Sequence, residues 1–369
     1  MDYRNIIMHF FRIFPINKKK VVFSSYYGRS INDCPKNISD VLHEIAPDLE
    51  QVWVLNNNVE HPEYVECVKP GSLRSVFEFA TSKIWIDNCR KPSWYDKRKG
   101  QFYFQTWHGG VCLKHVEKDA SDTLTEEYIN NAIRDSEMAD YFISECEWRT
   151  QNFRDAFWYD GEVLRCGFNR MNINPSIDYH DKVCRKLEIP NNNKLVLYAP
   201  TFRDDGRLSC YDIDYQSLVD VLKKKFGNEY TIIIRLHPNI AQLNNKIEYS
   251  DNVINGTQYP SIEELITASD ILITDYSGCM FDGFRIEKIV LIYASDIEEY
   301  VVNERGFYFD LKELPAPIAV NNAELHSIIS DFDLERYHKE RKDFVDKLGY
   351  YKDGNFETVA EKILEIIKK

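Results

Sequence analysis

The chain alternates short apolar runs with amphipathic segments over most of its length. The apolar runs are rich in β-branched and aromatic residues and are continuous, which is typical of strands buried on both faces of a parallel sheet. They occupy residues 21–25, 52–55, 84–87, 102–106, 141–144, 163–165, 195–199, 231–235, 271–274 and 289–293. Helical patterns separate many of them, at 38–45, 73–80, 126–136, 215–226 and 262–268. This alternation predicts an α/β protein whose parallel sheets are covered by helices.

The length of 369 residues is enough for two domains of ordinary size. A stretch rich in Asn, Pro and Ser, at residues 172–181, lies between two strand–helix series. We therefore predict two doubly wound, Rossmann-like domains, with ligands bound in a cleft between the carboxyl ends of their strands. The predicted divisions are a candidate membrane-contact segment at 1–20, domains at 21–175 and 176–345, and a C-terminal helix at 346–369.

The N-terminal segment, residues 5–16, reads NIIMHFFRIFPI and is followed by Lys18, Lys19 and Lys20. One interpretation is an interfacial helix with its bases on anionic lipid headgroups. The other is a helix packed on the protein's own core, and Pro15 limits either helix in length. No apolar stretch reaches the roughly 18 residues of a membrane span, and no signal-peptide cleavage pattern follows the start.

Charge and cysteine content exclude several classes of protein. Asp and Glu outnumber Lys and Arg by 59 to 46, so the net charge of -13 disfavours general binding to duplex nucleic acid. The nine cysteines are odd in number and widely spaced. That pattern argues against a disulfide framework or a zinc knuckle and favours a reducing cytosol.

The first candidate site is Trp107-His108-Gly109-Gly110, directly after the strand predicted at 102–106. A histidine at the carboxyl end of a strand can accept a proton near neutral pH. Two glycines after it allow backbone N–H groups to approach a phosphate closely. The alternative is a histidine that is hydrogen-bonded in a tight turn for structural reasons.

The second candidate site pairs Arg235 with His237 at the end of another predicted strand. Because the two residues are two positions apart, we expect both side chains to leave the same face. Two such groups suit a diphosphate, whereas the alternative is surface charge on a loop.

The third candidate site is the turn within ILITDYSGCMFD, residues 271–282. Ser277 and the backbone N–H groups of Gly278 and Cys279 are predicted to lie at a helix N-terminus, which attracts anions. Asp275 and Asp282 could bind a hydroxyl group or orient a histidine, and Asp275 could instead cap the helix.

Other strand ends carry Thr201, Arg203 and Arg170. Together with the groups above, they describe a cleft for a diphosphate without a nucleophilic triad. The sequence has no phosphate-binding P-loop and no GxGxxG motif, which disfavours an ATPase or a dehydrogenase. Asp212 and Asp214 have the DxD form of metal-dependent sugar transferases, but they start a predicted helix. We interpret them as solvent-facing or capping residues and predict no tightly bound metal.

At these residues the sequence resembles the CDP-glycerol glycerophosphotransferase family, the teichoic acid primases and polymerases of bacteria. The shared motifs run in the same order and spacing at 105–109, 114, 198–203, 235–238, 274–277, 281–282 and 305–310. The resemblance implies a GT-B fold, in which two Rossmann-like domains face a central cleft. It assigns the acceptor to the N-terminal domain and a CDP-polyol donor to the C-terminal one.

The resemblance also implies the reaction. An acceptor hydroxyl attacks the β-phosphate of a CDP-polyol, most simply CDP-glycerol, and CMP leaves without a further cofactor. His108 is then the base, and His237 stabilises charge on the transferred phosphate. The implied substrate-binding residues are Trp107, Gly109, Gly110, Lys114, Arg170, Thr201, Arg203, Arg235, Asp275, Tyr276, Ser277, Gly278 and Asp282. The implied acceptor is a lipid-linked glycan or polymer, which places the protein peripherally on the cytoplasmic face of the cell membrane.

The sequence departs from the family pattern in three loops. Gly110 and Val111 stand where the family often has Thr-Pro, Asn169 and Asn172 replace a proline and an aspartate, and Gly278 replaces a serine. The polyol, the acceptor (a linkage unit, a growing polymer or a capsular glycan) and the choice between primase and polymerase stay open. A nucleotide-sugar glycosyltransferase is the alternative enzyme, because fold does not fix function. An inactive scaffold protein is disfavoured because both histidines are present.

Overall fold

The computed structural model describes residues 2–168, 171, 176–203, 212–237, 240–241, 244, 246–303 and 306–369, and the side chains of 301–303 are not considered. The chain forms two compact units. Unit 1 comprises Met1–Gly110, Val116–Arg170 and Gly349–Lys369, and unit 2 comprises Val111–His115 and Met171–Leu348. Each unit is built on a parallel sheet, so the predicted α/β class with two Rossmann-like domains is confirmed.

The bounds of the elements are as follows. The strands are β1 (Asn17–Ser24), β2 (Glu50–Val54), β3 (Glu66–Val68), β4 (Ser82–Asp87), β5 (Phe102–Gln105), β6 (Tyr141–Ser144), β7 (Glu162–Arg165), β8 (Lys194–Tyr198), β9 (Tyr230–Ile234), β10 (Val253–Asn255), β11 (Ile271–Thr274), β12 (Ile289–Tyr293) and β13 (Ile318–Ala319). The helices are α1 (Tyr3–Phe11), α2 (Asp33–Ile45), α3 (Leu73–Thr81), α4 (Glu126–Met138), α5 (Glu147–Ala156), α6 (Tyr179–Leu187), α7 (Tyr215–Phe226), α8 (Ile262–Ala268), α9 (Cys279–Arg285), α10 (Ile297–Asn303), α11 (Asn322–Ser330), α12 (Leu334–Lys347) and α13 (Phe356–Lys368).

In unit 1 the described strands lie in the order β3-β2-β1-β4-β5-β6-β7. Successive residues of β1 point to opposite faces of this sheet, so Val21 and Val22 contribute to separate hydrophobic clusters. The C-terminal helix α13 joins the cluster that contains Val21, through Phe356 and Ile363. The continuous apolar runs therefore reflect burial on both faces.

In unit 2 the described strands lie in the order β10-β9-β8-β11-β12-β13. One face of this sheet is covered by α7 and α11, whose Leu218 and Leu325 are fully buried. Residues 111–115 belong to this unit because Lys114 pairs with Phe307 in an antiparallel bridge. The N–H of His115 also donates to the carbonyl oxygen of Gly306 at 2.7 Å.

The helix predicted at 346–369 begins later than expected. Helix α12 ends at Lys347, and α13 begins only at Phe356. Between them Gly349 and Gly354 adopt φ angles of 68° and 83°, which interrupt a helix and favour glycine. The side chain of Asn355 then caps α13 by accepting from the N–H groups of Glu357 and Thr358.

Two further findings concern membranes and thiols. Among the helices of the described residues, none combines the length and apolar character that crossing a membrane requires. The described cysteines, which include all but Cys210, are free thiols.

Candidate active site

The loop after β5 in unit 1 is tightly constrained. The Trp107 N–H donates to the Gln105 side-chain oxygen at 2.8 Å, and the Trp107 backbone has a φ of 56°. A positive φ is costly for a bulky residue and must be held by its surroundings. Here the buried indole packs edge-on against Phe157, with ring centroids 4.7 Å apart. The strained backbone projects the next residue, His108, to the surface.

His108 is held in one orientation by a backbone carbonyl. Its Nδ1 lies 2.8 Å from the carbonyl oxygen of Asn88. A carbonyl can only accept, so Nδ1 carries the hydrogen and Nε2 carries the lone pair. The buried Asn88 is itself fixed because its Oδ1 accepts from the Tyr26 N–H at 2.8 Å. This arrangement suits a general base that acts through Nε2.

The two glycines after His108 continue the constrained loop. Gly109 has a φ of 150°, a conformation that favours glycine. Its carbonyl accepts from Nη2 of the buried Arg149 at 3.2 Å. Gly110 is the last residue of this segment of unit 1. The glycines therefore shape the loop that presents His108.

In unit 2 several predicted residues meet at the point where the strand order reverses, between β8 and β11. The N–H and hydroxyl of Thr201 donate to the two oxygens of Asp275, at 2.8 Å and 2.9 Å. Arg203 forms an ion pair with the same carboxylate at 3.0 Å. These contacts tie the loop after β8 to the loop after β11 in the region where α/β sheets bind ligands.

Arg203 is also bound by a second carboxylate that the sequence analysis missed. Its Nε donates to Asp296 Oδ2 at 2.7 Å, and only 3% of its side chain is exposed. The Tyr276 hydroxyl donates to the other oxygen of Asp296 at 3.0 Å, and the Tyr276 ring stacks on Tyr300 at 3.6 Å. Arg203 and Tyr276 are thus parts of a buried network. Such a network is suited to positioning the loops, since its charged groups face one another.

A positive group in unit 2 consists of the cations Lys114 and Arg235 together with His237, on which their charges act. Burial lowers the pKa of His237 from its ordinary value, and the charges of Lys114 and Arg235 lower it further. The His237 ring packs on Phe202 with centroids 4.6 Å apart, and Nη1 of Arg235 donates to the carbonyl of Tyr259. His237 is therefore held in its neutral form beside two cations, where it can donate an N–H hydrogen bond to an anion.

The turn before α9 contains Ser277 and Gly278. The Ser277 hydroxyl oxygen accepts from the Cys279 N–H at 3.4 Å, and Gly278 is the N-cap of α9 without a side-chain cap. The suggestion that Asp275 caps this helix is wrong, because its carboxylate is bound to Thr201 and Arg203. A Cβ at Gly278 would lie 3.3 Å from the Val111 carbonyl oxygen, so the glycine permits close approach of residues 111–115.

The remaining predicted residues are placed as follows. Asp282 is half-buried on α9, and Arg170 lies outside the described residues. Asp214 is the N-cap of α7 and accepts from the Ser217 N–H, which agrees with the capping interpretation of the DxD sequence. Within the described part of the chain, no group of three or more His, Cys, Asp or Glu could hold a metal ion.

Comparisons with known proteins identify the family to which the chain is similar. The chain is 32% identical over 356 residues to the teichoic acid poly(glycerol phosphate) polymerase of Staphylococcus epidermidis, covering 92% of this chain and 49% of that one. It is 30% identical over 371 residues to the teichoic acid glycerol-phosphate transferase of Staphylococcus aureus, covering 96% and 94%. This chain thus spans about half of the first relative and nearly all of the second.

A solved structure of the wall teichoic acid polymerase TagF matches with a TM-score of 0.85 and 29% identity, covering 99% of this chain and 94% of that one. The sequence model of the CDP-glycerol:poly(glycerophosphate) glycerophosphotransferase family matches residues 6–369. A match over nearly the whole chain establishes membership, and this protein belongs to that family of glycerophosphotransferases.

Proposed function

We propose that the chain transfers glycerol phosphate from CDP-glycerol to a hydroxyl group of a teichoic acid acceptor and releases CMP. The observation that supports this most strongly is the family match over residues 6–369. The held tautomer of His108 and the positive group of Lys114, Arg235 and His237 fit the same reaction.

In the proposed reaction, Nε2 of His108 takes the proton of the acceptor hydroxyl. The resulting oxygen forms a bond to the β-phosphorus of CDP-glycerol. The bond from that phosphorus to the bridging oxygen breaks, and the bridging oxygen leaves with its electron pair as part of CMP. The products are a new phosphodiester, CMP and a protonated His108. Protein catalysis of such a transfer consists mainly of positioning and charge stabilisation.

We assign the donor diphosphate to the positive group of unit 2. Lys114 and Arg235 supply positive charge, and neutral His237 supplies a hydrogen-bond donor to the transferred phosphate. Thr201, Arg203, Asp275 and Tyr276 act as positioning residues because they hold the surrounding loops. Ser277, Gly278 and Asp282 are assigned to donor contacts on the same turn.

The proposal is tested by measuring CMP release. Purified protein is incubated with CDP-glycerol, CDP-ribitol or nucleotide sugars and a glycerol phosphate acceptor. We expect CMP from CDP-glycerol, and we expect it to persist in EDTA because side-chain cations neutralise the diphosphate. Release of a nucleoside diphosphate from a sugar donor, with no CMP from either CDP-polyol, would contradict the proposal and favour a glycosyltransferase.

We further propose that unit 1 contacts the membrane surface through α1, where a lipid-linked acceptor is available. One face of α1 packs on unit 1, since Met8 is buried and Phe11 contacts Phe77 of α3. The other face exposes apolar side chains. The exposed fractions on this face are 65% for Tyr3, 57% for Ile6 and 63% for Phe10, and just beyond the end of α1 they are 69% for Ile13 and 43% for Phe14. Beside it, the exposed Lys18 and Lys19 suit anionic headgroups. The packed face agrees with a helix that covers the core of unit 1, and the exposed apolar face supports the proposal of membrane contact.

Replacing Ile6 and Phe10 with Asp should weaken binding to anionic vesicles about tenfold or more, because it removes apolar area and adds negative charge. Vesicle flotation measures the effect, and transfer to a soluble acceptor should not change. Leu334→Asp on α12 is the control, since Leu334 is also exposed but lies in unit 2. If the double variant and the wild type float equally with the vesicles, the proposal that α1 binds the membrane is wrong.

A further inference from the structure

A pocket of about 180 Å³ lies at the carboxyl edge of the sheet in unit 1. Two of its lining residues, Ser24 and Asp87, end β1 and β4 and are paired side by side. The chain leaves β1 for β2 on one side and later returns to β4 on the other side. The pocket is therefore at the point of strand-order reversal, where open α/β sheets bind ligands.

The lining combines aromatic rings with charged groups, among them Arg4, Tyr27, Arg90, Lys91 and Trp94. Lys91 forms an ion pair with Asp87, and both side chains are almost completely buried. A buried ion pair is rarely the most stable way to fill an interior. In addition, Nε of the buried Arg90 has no hydrogen-bond partner within the described residues. Polar groups kept at such a cost suggest that the pocket binds a polar ligand.

The backbone beside the pocket is strained. Tyr26 and Tyr27 have φ angles of 48° and 57°, which are unfavourable for bulky residues. Strain of this kind persists only where the surroundings impose it, and it is concentrated at functional sites. The strain brings the Tyr27 side chain to the pocket, and the neighbouring Tyr26 ring lies 6.2 Å from the ring of His108.

The same short loop serves both the pocket and His108. The carbonyl of Asn88 holds the His108 ring, while the flanking Asp87, Arg90 and Lys91 line the pocket. One loop, residues 87–91, therefore connects the pocket to the proposed base. The pocket, the loop and His108 all belong to unit 1.

We propose that this pocket binds the terminal glycerol phosphate unit of the acceptor, so that its end hydroxyl is presented to His108. This inference rests on the proposed function and names the part of the substrate that unit 1 recognises. The pocket is smaller than the roughly 300 Å³ or more of sites for larger ligands, which suits one small unit.

Arg4 is the cation best placed to bind the phosphodiester. Arg90 is bound to Glu117 and Lys91 to Asp87, whereas a third of the Arg4 side chain is exposed. Asp2 engages Nε and Nη2 of Arg4. Its Nη1 lies beside Gly71, another lining residue, where a Cβ would be 3.4 Å away. The ring of Trp94 lies under the same guanidinium at 4.9 Å and fixes its position.

A glycerol phosphodiester can come from two sources, the acceptor polymer or the headgroup of phosphatidylglycerol. The probe for the acceptor is soluble glycerophosphoglycerol, and the probe for the lipid is a phosphatidylglycerol vesicle. Binding of each probe is measured by titration calorimetry and by tryptophan fluorescence. The fluorescence change in wild-type protein is compared with that in Trp94→Phe, so that the difference reports on the pocket.

The variants are Arg4→Gln and Tyr27→Phe, with Arg12→Gln as the matched control. Arg12 is the C-cap of α1 and also pairs with an aspartate, Asp96, but it does not line the pocket. With a soluble glycerol phosphate acceptor, Arg4→Gln should raise the acceptor KM about tenfold or more, as expected for a lost charged hydrogen bond. Tyr27→Phe should raise it several-fold. The KM for CDP-glycerol and the kcat at saturating acceptor should stay at the wild-type values in both.

Wild-type acceptor KM values in both variants would overturn the proposal. The proposal would also be overturned if phosphatidylglycerol vesicles changed the Trp94 fluorescence of the protein while glycerophosphoglycerol did not bind. Failure of the proposed function is separate and recognisable, because wild-type protein would then release no CMP from CDP-glycerol. Calorimetric binding of glycerophosphoglycerol, weakened by Arg4→Gln and not by Arg12→Gln, would support the pocket even in that case.

Discussion

Replacing His108 with Ala is expected to lower the rate of CMP release from CDP-glycerol by about 10²–10⁴-fold, the usual contribution of a general base. The melting temperature should change little, because the His108 side chain is exposed and its removal opens no cavity in the core. The measurement is kcat for transfer to a soluble acceptor, together with thermal unfolding of the same sample.

The expected loss follows from the orientation of the ring. Nδ1 is engaged by the Asn88 carbonyl, so Nε2 is the atom that can accept the hydroxyl proton. His108→Gln should be as inactive as His108→Ala, because glutamine can form hydrogen bonds but cannot act as a base near neutral pH. A role limited to hydrogen bonding would instead be rescued by glutamine, so the two variants distinguish the explanations.

His43→Ala is the control for this experiment. His43 lies on α2 in the same unit, and its ring stacks on Tyr64 at 3.9 Å. This variant should keep wild-type kcat within about twofold, a margin set by the small effects of substitutions away from the site. Near-normal turnover of His108→Ala would show that another group accepts the proton.

The strands of both sheets were predictable because burial on both faces leaves a continuous apolar run. The runs at 141–144, 271–274 and 289–293 coincide with β6, β11 and β12. The edge strands β3, β10 and β13 were missed, since each has only two or three residues and is specified by its neighbour in the sheet. Local pattern does not report that kind of pairing.

The assignment of segments to units could not be predicted from local pattern. Residues 111–115 follow a strand of unit 1 but pair with residues of unit 2 near position 307. Helix α13 is last in the chain but packs with α2. Both contacts join residues that are far apart in sequence, so no window of the sequence contains them.

The sequence predicted which residue types line the candidate site, but it predicted the role of each residue only in part. Polar residues at strand ends predicted Thr201, Arg203 and Asp275 as site residues, and the structure places the three in contact with one another. Their mutual contacts show that they hold the loops, and the partner Asp296 lies 93 positions from Arg203. The pocket in unit 1 was missed for the same reason, because its lining residues Arg4 and Lys91 are far apart in the sequence.

Replacing His237 with Ala is expected to lower kcat by about 10²–10³-fold, the usual effect of removing a donor that stabilises transition-state charge. The KM for CDP-glycerol should change much less, because the proposed hydrogen bond strengthens as charge develops on the transferred phosphate. His237→Gln should recover part of the loss, since its amide retains an N–H donor. A large increase in KM with unchanged kcat would assign His237 to ground-state donor binding instead.

The charge state of His237 provides an independent test, by NMR titration of the ring in the protein without substrate. Burial, Lys114 and Arg235 all lower its pKa, so the midpoint should lie below the ordinary value of 6.5. Lys114→Met removes one of these positive charges and should raise the midpoint, whereas Lys118→Met, at an exposed position in unit 1, should not. Because the folded pKa is depressed, protonation of His237 on acidification opposes folding, and the neutral donor persists throughout the neutral range. An unchanged or lower midpoint in Lys114→Met would show that the charge of Lys114 does not lower the pKa of His237. The electrostatic argument for assigning both residues to the donor diphosphate would then fail.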